Sequence, residues 1–375
     1  MAEIRSFGQS QKCHSGNSVR HYRLRRYASD AATPSFVVLK ATPKHISDFE
    51  MEKVINLGIP HVGEQIFASI ETQELVQSLQ ISEPWKILAK NVLINRWKGK
   101  MFGACISGET EIVQLLLENC NCEESGLDTR DDNGRTAFMI ACIMGHKKIA
   151  KLLISERNID LNARDNNGFT ALIWACHFGH TDVVQLLLDH SASNIELNAK
   201  DNDGMTSFMW ACHFGHIDVV QLLLDHTNPT IDLNERDIFG ETALIYSCGG
   251  GHNDVINLIL NHPDSMIEVN AQDDVGCTAL MQASKYGHND VVQSLLKYSG
   301  RTIDFNIQCQ DGKTAFIYAC EHGNKEVVQL LLDQPYQTID LNVQDQNGQT
   351  ALMHASGWGH DDIVKLILAL FQTFV

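Results

Sequence analysis

Two glycine signals, locked in phase, constrain this chain more than any other feature. Gly-Xaa-Thr recurs at Gly134, Gly168, Gly204, Gly240, Gly276, Gly312 and Gly348, stepping by 34 and then by 36 five times. Eleven residues after each comes a second glycine, followed by histidine in six copies (Gly145-His146 through Gly359-His360) and by asparagine at Gly323-Asn324. A fixed period of this length marks a stack of small supersecondary units, each too small to bury its own apolar face.

One unit shows the local logic. Asp165-Asn166-Asn167-Gly168 has the composition of a tight turn, in which glycine supplies a positive φ, so it reads as a hairpin tip. Thr170 is placed to cap a short helix, Ala171 to Phe178, and Gly179 is placed to stop it in the left-handed conformation. Val183-Val184-Gln185-Leu186-Leu187-Leu188 then repeats its apolar positions at the spacing of one buried helical face. The unit is turn, helix, turn, helix. Met101 to Leu117 reads as a helix-only copy, with Ala104-Cys105 and Gly108 aligned to Ala175-Cys176 and Gly179.

Over residues 100–375 this pattern resembles the ankyrin-repeat family, whose units carry Gly-Xaa-Thr-Pro-Leu-His and, further on, Gly-His. The resemblance implies an all-α solenoid of helix-turn-helix units with hairpin loops. It also implies a protein that binds other proteins on a concave face and catalyses nothing. Two departures stand out: Thr170-Ala171-Leu172-Ile173 replaces the family tetrapeptide, and the period is 36. The extra length is expected in the loop before each hairpin, such as Asp189 to Glu196.

Residues 51–99 read as amphipathic helices, with Ile66 and Ile70, Leu75 and Leu79, and the stripe Ile81, Trp85, Leu88. Ile59-Pro60, the apolar run through Phe67, Leu75, Trp85 and Trp97 resemble an F-box. That resemblance implies docking on a Skp-type adaptor of a cullin-RING ubiquitin ligase, through or above Pro60, Ile66, Leu75 and Trp85. A plain helical cap for the repeats is the competing reading. Pro84 fits only a first helical turn, which puts the start of the third helix near Glu83. No Gly/Ser/Pro linker separates Trp97 from Met101, so helices and repeats should be continuous.

Residues 1–50 hold eight Lys/Arg against four Asp/Glu, with Arg20, Arg23, Arg25 and Arg26 clustered and no periodicity. They read as a basic, flexible tail, with a transit peptide or a kinase site at Ser29 as weaker alternatives. The total charge is −17, so this +4 leaves −21 on the remainder, which should repel nucleic acid. No apolar run reaches membrane-spanning length, and an intracellular location, cytoplasmic or nuclear, is expected. Of eleven cysteines, Cys142, Cys176, Cys212 and Cys320 recur at one repeat position, the mark of a small buried side chain and not of a disulfide framework. The apolar end from Ile363 to Val375 fits a truncated product, a docked tail or a partner site.

No cofactor is expected. His177 and His180, like His213 and His216, are three apart, yet no convergent Cys or carboxylate pattern accompanies them, so no metal is expected either. The expected protein-binding residues lie in two columns four apart on the first helices. One holds Trp174, Trp210, Tyr246 and Tyr318, the residue before the Ala-Cys pair or its equivalent. The other holds Phe178, Phe214, Tyr286 and Trp358, the residue before the turn glycine. Spacing alone puts both columns on one side of the helix, where they form either a binding stripe or ordinary core. Ile238 and Phe239 add an apolar hairpin tip where most repeats are polar.

Overall fold

The structure, a computed structural model, describes residue 72 and residues 83–119, 126–127, 129–156, 159–190, 195–226, 231–262, 267–298, 303–334 and 339–373. The basic segment 1–50 and the F-box-like residues Pro60, Ile66 and Leu75 lie outside them, as do residues 191–194 of the expected long loop.

Helix α1 (Glu83–Trp97) precedes eight helix pairs among the described residues. The first is the helix-only unit, α2 (Met101–Ser107) with α3 (Thr110–Asn119). Seven full repeats follow: α4 (Ala137–Ile143) with α5 (Lys147–Ile154), α6 (Ala171–His177) with α7 (Thr181–Asp189), and α8 (Ser207–His213) with α9 (Ile217–Asp225). Then come α10 (Ala243–Gly250) with α11 (Asn253–Asn261), and α12 (Ala279–Tyr286) with α13 (Asn289–Lys297). The last are α14 (Ala315–Glu321) with α15 (Lys325–Leu332), and α16 (Ala351–Gly357) with α17 (Asp361–Thr373). First helices pack on neighbouring first helices, and second helices on second helices.

Each full repeat starts its first helix the same way. The threonine of Gly-Xaa-Thr sits in extended backbone, and its hydroxyl accepts the N–H three residues on, at 3.2–3.4 Å. Such a cap satisfies one of the donors that a helix start leaves unpaired. The turn glycine ends the helix at positive φ, +71° at Gly179. It is also a close-approach position, since a Cβ there would lie 2.6 Å from the His216 ring of the next repeat.

That histidine holds the stack together. Its Nε2 pairs with the carbonyl that ends the preceding repeat's first helix: His180 with Ile143 (2.8 Å), His216 with His177 (3.1 Å), His252 with His213 (3.0 Å). Asn324, the one departure in the series, donates to the Ser284 carbonyl at 2.7 Å and so keeps the link. The hairpins add one backbone hydrogen bond per step, such as Asn202 N–H to Asn167 O (3.0 Å) and Ile238 N–H to Asp203 O (3.0 Å). The hairpins carry no strand beyond isolated antiparallel bridges, such as Lys200 with Thr206.

The core runs between layers. Ala171, Leu172, Ile173, Ala175 and Cys176 of α6 are buried, as are Val183, Val184 and Leu187 of α7. The eight described cysteines are free and buried. Burial pushes the Cys105 and Cys320 thiols up to about 12.

At the front, α1 begins at Glu83 with Pro84 in its first turn, as the proline requires. It packs on α3 through buried Ala89, Val92 and Leu93, and Lys90 lies 3.7 Å from Glu118. The Trp97 ring covers Gly103, where a Cβ would lie 3.1 Å from it. At the back, α17 buries Ile363 and Ile367 and leaves Leu368 exposed.

Two glycine substitutions separate the roles of these positions. Gly179→Ala, forced to positive φ against His216, should lose about 1–2 kcal/mol or more of stability. Gly249→Ala, inside α10 with open space where its Cβ would go, should gain about 0.5–1 kcal/mol. Urea unfolding midpoints of the two variants check both.

Candidate protein-binding surface

The two aromatic columns, equivalent by spacing, have different fates. In the first, Trp174, Tyr246 and Tyr318 are buried and Trp210 is half-buried. Of the two readings open for this column, binding stripe or ordinary core, the burial of these three side chains fits packing in the free chain. In the second, Phe178, Tyr286 and Trp358 are 40%, 54% and 62% exposed, and Phe214 is half-buried. Met144 occupies the same column and is exposed.

A hairpin carboxylate makes the difference. Asp165 Oδ1 accepts the N–H groups of Asn167 and Phe169, both at 2.9 Å, which closes the hairpin tip. Its Oδ2 accepts the Trp174 indole N–H at 3.0 Å. The same slot recurs: Asp201 takes Trp210 Nε1 (2.8 Å), Asp237 takes the Tyr246 hydroxyl (2.6 Å), and Asp345 pairs with His354 Nε2 (2.9 Å). A ring with a polar donor nine residues after the aspartate is therefore drawn inward. Phe178 and Phe214 carry no such donor and stack on the outside of Trp174 and Trp210, at 5.8 Å and near-parallel in both cases.

His177 and His213 knit these rings across repeats. His177 meets both Trp210 and Phe214 at 4.7 Å, and His213 meets Tyr246 at 5.0 Å. Each has a buried Nδ1 without a hydrogen-bond partner. Burial, helped by neighbouring histidines, pushes both rings down to about 4, so they are neutral at physiological pH. They do not converge with His180 and His216, whose Nε2 atoms are occupied by carbonyls. Among the described residues, no group of three or more His, Cys, Asp or Glu is arranged to hold a metal ion.

Ile238 and Phe239 are exposed at their hairpin tip while its backbone is fixed on both sides, by Ile238 N–H to Asp203 O and Asp274 N–H to Phe239 O (2.8 Å). Lys285 Nζ sits 5.4 Å from the Tyr286 ring centre, a cation at the aromatic column that sequence reading passed over. Trp85 lies in the first turn of α1, and its side chain is outside the described residues, as are Pro60, Ile66 and Leu75 altogether. No described helix is long and apolar enough to cross a membrane.

Capped helix pairs stacked through hairpins and a Gly-His link define an all-helical repeat scaffold. The chain belongs to the ankyrin-repeat family: the model described as "Ankyrin repeats (3 copies)" matches residues 68–165, 158–237, 228–309 and 300–373. Among solved structures, the chain is similar to the ankyrin repeat domain of Bcl-3, described as a unique member of the IkappaB protein family. Identity is 25% and the TM-score 0.50, over 62% of this chain and 97% of that one. No curated protein matches the chain.

Two measurements follow from this geometry. Trp174→Ala should cost about 3–5 kcal/mol of stability, the range for removing a buried ring, and Phe178→Ala about 1 kcal/mol or less. Urea denaturation of both variants distinguishes packing from presented surface. The histidines predict a pH effect. Unfolded, His177 and His213 take a proton near their ordinary value of 6.5, and folded only near about 4. In that window the unfolded chain binds more protons, so stability should fall on acidification. The thermal midpoint should drop between about pH 7 and pH 5, and by less in a His177→Phe/His213→Phe variant.

Proposed function

We propose that the chain is a protein-recognition scaffold whose partners are gripped by one ring column, the exposed Phe178, Tyr286 and Trp358 with the half-buried Phe214, and by the Ile238–Phe239 tip as a further anchor. The observation that carries this reading is one ring in each of four repeats, at the same position, left at the surface while its neighbour four residues earlier is tied inward or half-buried. Large side chains held in fixed backbone are the usual anchors of protein interfaces. The net −21 beyond residue 50 favours partner segments that combine basic and apolar residues. The N-terminal helices, in this reading, close the stack. The burial of Ala89, Val92 and Leu93 on α3 supports it, and so does a family match that reaches back to residue 68.

A second reading makes the chain a substrate receptor of a cullin-RING ubiquitin ligase, with residues 51–99 holding a Skp-type adaptor and residues 100–375 holding the target. The spacing of Ile59-Pro60, Leu75, Trp85 and Trp97 favours it. It divides the chain into a basic tail, an F-box-like module and the repeats.

One pair of experiments separates the two. Under the scaffold reading, the full chain should show no association with a Skp-type adaptor at micromolar concentration, and Leu93→Asp should destabilise the neighbouring repeat by about 3 kcal/mol. Adaptor binding abolished by Pro60→Ala with Ile66→Asp would replace the scaffold reading with the ligase one. In either case, Phe178→Ala and Tyr286→Ala should lower affinity for a repeat-bound protein roughly tenfold or more, with the thermal midpoint little changed.

A further inference from the structure

Repeat by repeat, the hairpin tip opens on an aspartate: Asp131, Asp165, Asp201, Asp237, Asp273 and Asp345. The sixth repeat carries Cys309 instead. The slot itself is unchanged. An aspartate there accepts the N–H groups two and four residues on, and Cys309 sits in the same closed turn, its N–H on Lys313 O at 3.0 Å and its carbonyl taking the Gly312 N–H at 2.8 Å. In four of its siblings the slot also takes a ring donor nine residues on, and here Tyr318 stands at that place, its hydroxyl 3.4 Å from Cys309 Sγ. A site that elsewhere holds a carboxylate, ringed by donors, here holds sulfur.

A second sulfur shares the site. Cys277, from the Gly-Xaa-Thr of the preceding repeat, places its Sγ 3.8 Å from the same Tyr318 hydroxyl, so one oxygen lies within reach of both sulfurs. The two hairpins touch: Gln310 N–H donates to Val275 O at 2.8 Å, and a Cβ on Gly276 would lie 3.0 Å from Cys309 Cα. Both cysteines are slightly open to solvent, at 8% and 6%, whereas Cys142, Cys176, Cys212, Cys248 and Cys320 in the helices are fully closed.

We propose that Cys277 and Cys309 form an oxidisable dithiol that hydrogen peroxide or an organic hydroperoxide converts to a disulfide, with Cys309 as the attacking sulfur and Cys277 as the resolving one. The Cys309 thiolate attacks one peroxide oxygen. The O–O bond breaks, Cys309 becomes a sulfenic acid, and the departing oxide leaves as water or alcohol after taking a proton. Cys277 sulfur then attacks Cys309 sulfur, the S–O bond breaks, and water leaves with the Cys277 proton. Two electrons pass from the sulfurs to the peroxide. The product ties the hairpins of the fifth and sixth repeats covalently.

The electrostatics agree with the assigned roles. The Cys277 hydrogen bond holds the Cys309 thiol below the ordinary value, against burial and with help from Tyr318 and the two backbone N–H groups. Cys277 is raised, first by its bond with Cys309 and then by burial. A lowered, slightly exposed thiol beside a second cysteine is the usual setting of peroxide-sensitive pairs. Tyr318 acts as a positioning residue.

The test uses the full chain, reduced and freed of reductant. At neutral pH, iodoacetamide should alkylate Cys309 roughly tenfold or more faster than Cys142 or Cys320 in the wild-type chain. Peroxide treatment followed by peptide mass mapping should find Cys277 linked to Cys309. In Cys277→Ser, or Cys277→Ala should the serine unfold, Cys309 should be trapped as sulfenic acid by a cyclic 1,3-diketone. In Cys309→Ser, Cys277 should give no adduct. Tyr318→Phe should shift the pH profile of Cys309 alkylation upward with the helical circular dichroism unchanged. Cys309 reacting no faster than Cys142, or peroxide joining either sulfur to a different cysteine or to none, would overturn the proposal.

Discussion

Contact between neighbouring repeats is the interaction on which everything else in this chain depends. A single repeat buries one side of two short helices and leaves the other side apolar and open, so its stability resides in the next copy. Three devices make that contact specific. The Gly-His ring reaches back to a helix-ending carbonyl, the hairpins exchange a backbone hydrogen bond, and the turn glycine lacks the Cβ that would collide with the incoming ring. The glycine and the histidine are therefore one feature, and their fixed phase in the sequence reflects a shared contact.

The hairpin aspartate is the second organising element. It closes its own tip through two backbone N–H groups, and at Asp165, Asp201, Asp237 and Asp345 its remaining oxygen holds a ring nine residues later. The carboxylate thus couples the hairpin to the first helix of the same repeat and sorts the two aromatic columns. Where the partner changes, the local chemistry changes with it. In the last repeat the ring is His354, which lies between Asp345 and Glu321, and Glu321 in turn pairs with buried Lys313 at 2.7 Å.

The repeat period, the threonine caps, the glycine stops and the start of α1 near Glu83 were all legible in the sequence. Each rests on local chemistry that one residue type performs cheaply. The exposure of the rings was not legible from spacing, because residues four apart share a helix side whether that side is buried or open. What decided it was a polar partner on another element. Distance from the hairpin aspartate separates the columns: Trp174, Trp210, Tyr246 and His354 stand nine residues after it and reach its oxygen, whereas Tyr286 and Trp358 carry donors too but stand thirteen after it and remain exposed. Likewise, Cys277 and Cys309 looked like two more small residues until the hairpins brought them to one tyrosine hydroxyl.

Charge and geometry together narrow what such a surface can hold. The exposed rings at Phe178, Tyr286 and Trp358 are spaced by whole repeats, and the gap at Gly250 interrupts the column between Phe214 and Tyr286. Under the proposed reading a partner lying along the column meets separate aromatic sets, two of which differ in charge. On one side are Phe178 and Phe214, backed by the neutral His177 and His213. On the other is Tyr286 with Lys285 above its ring. The first set offers apolar area and no charge; the second adds a cation, so an acidic group is best accommodated there and an aliphatic or aromatic one at the first. Under the proposed reading the two unlike sets orient a bound segment, its apolar side chains at Phe178 and Phe214 and its acidic group at Lys285.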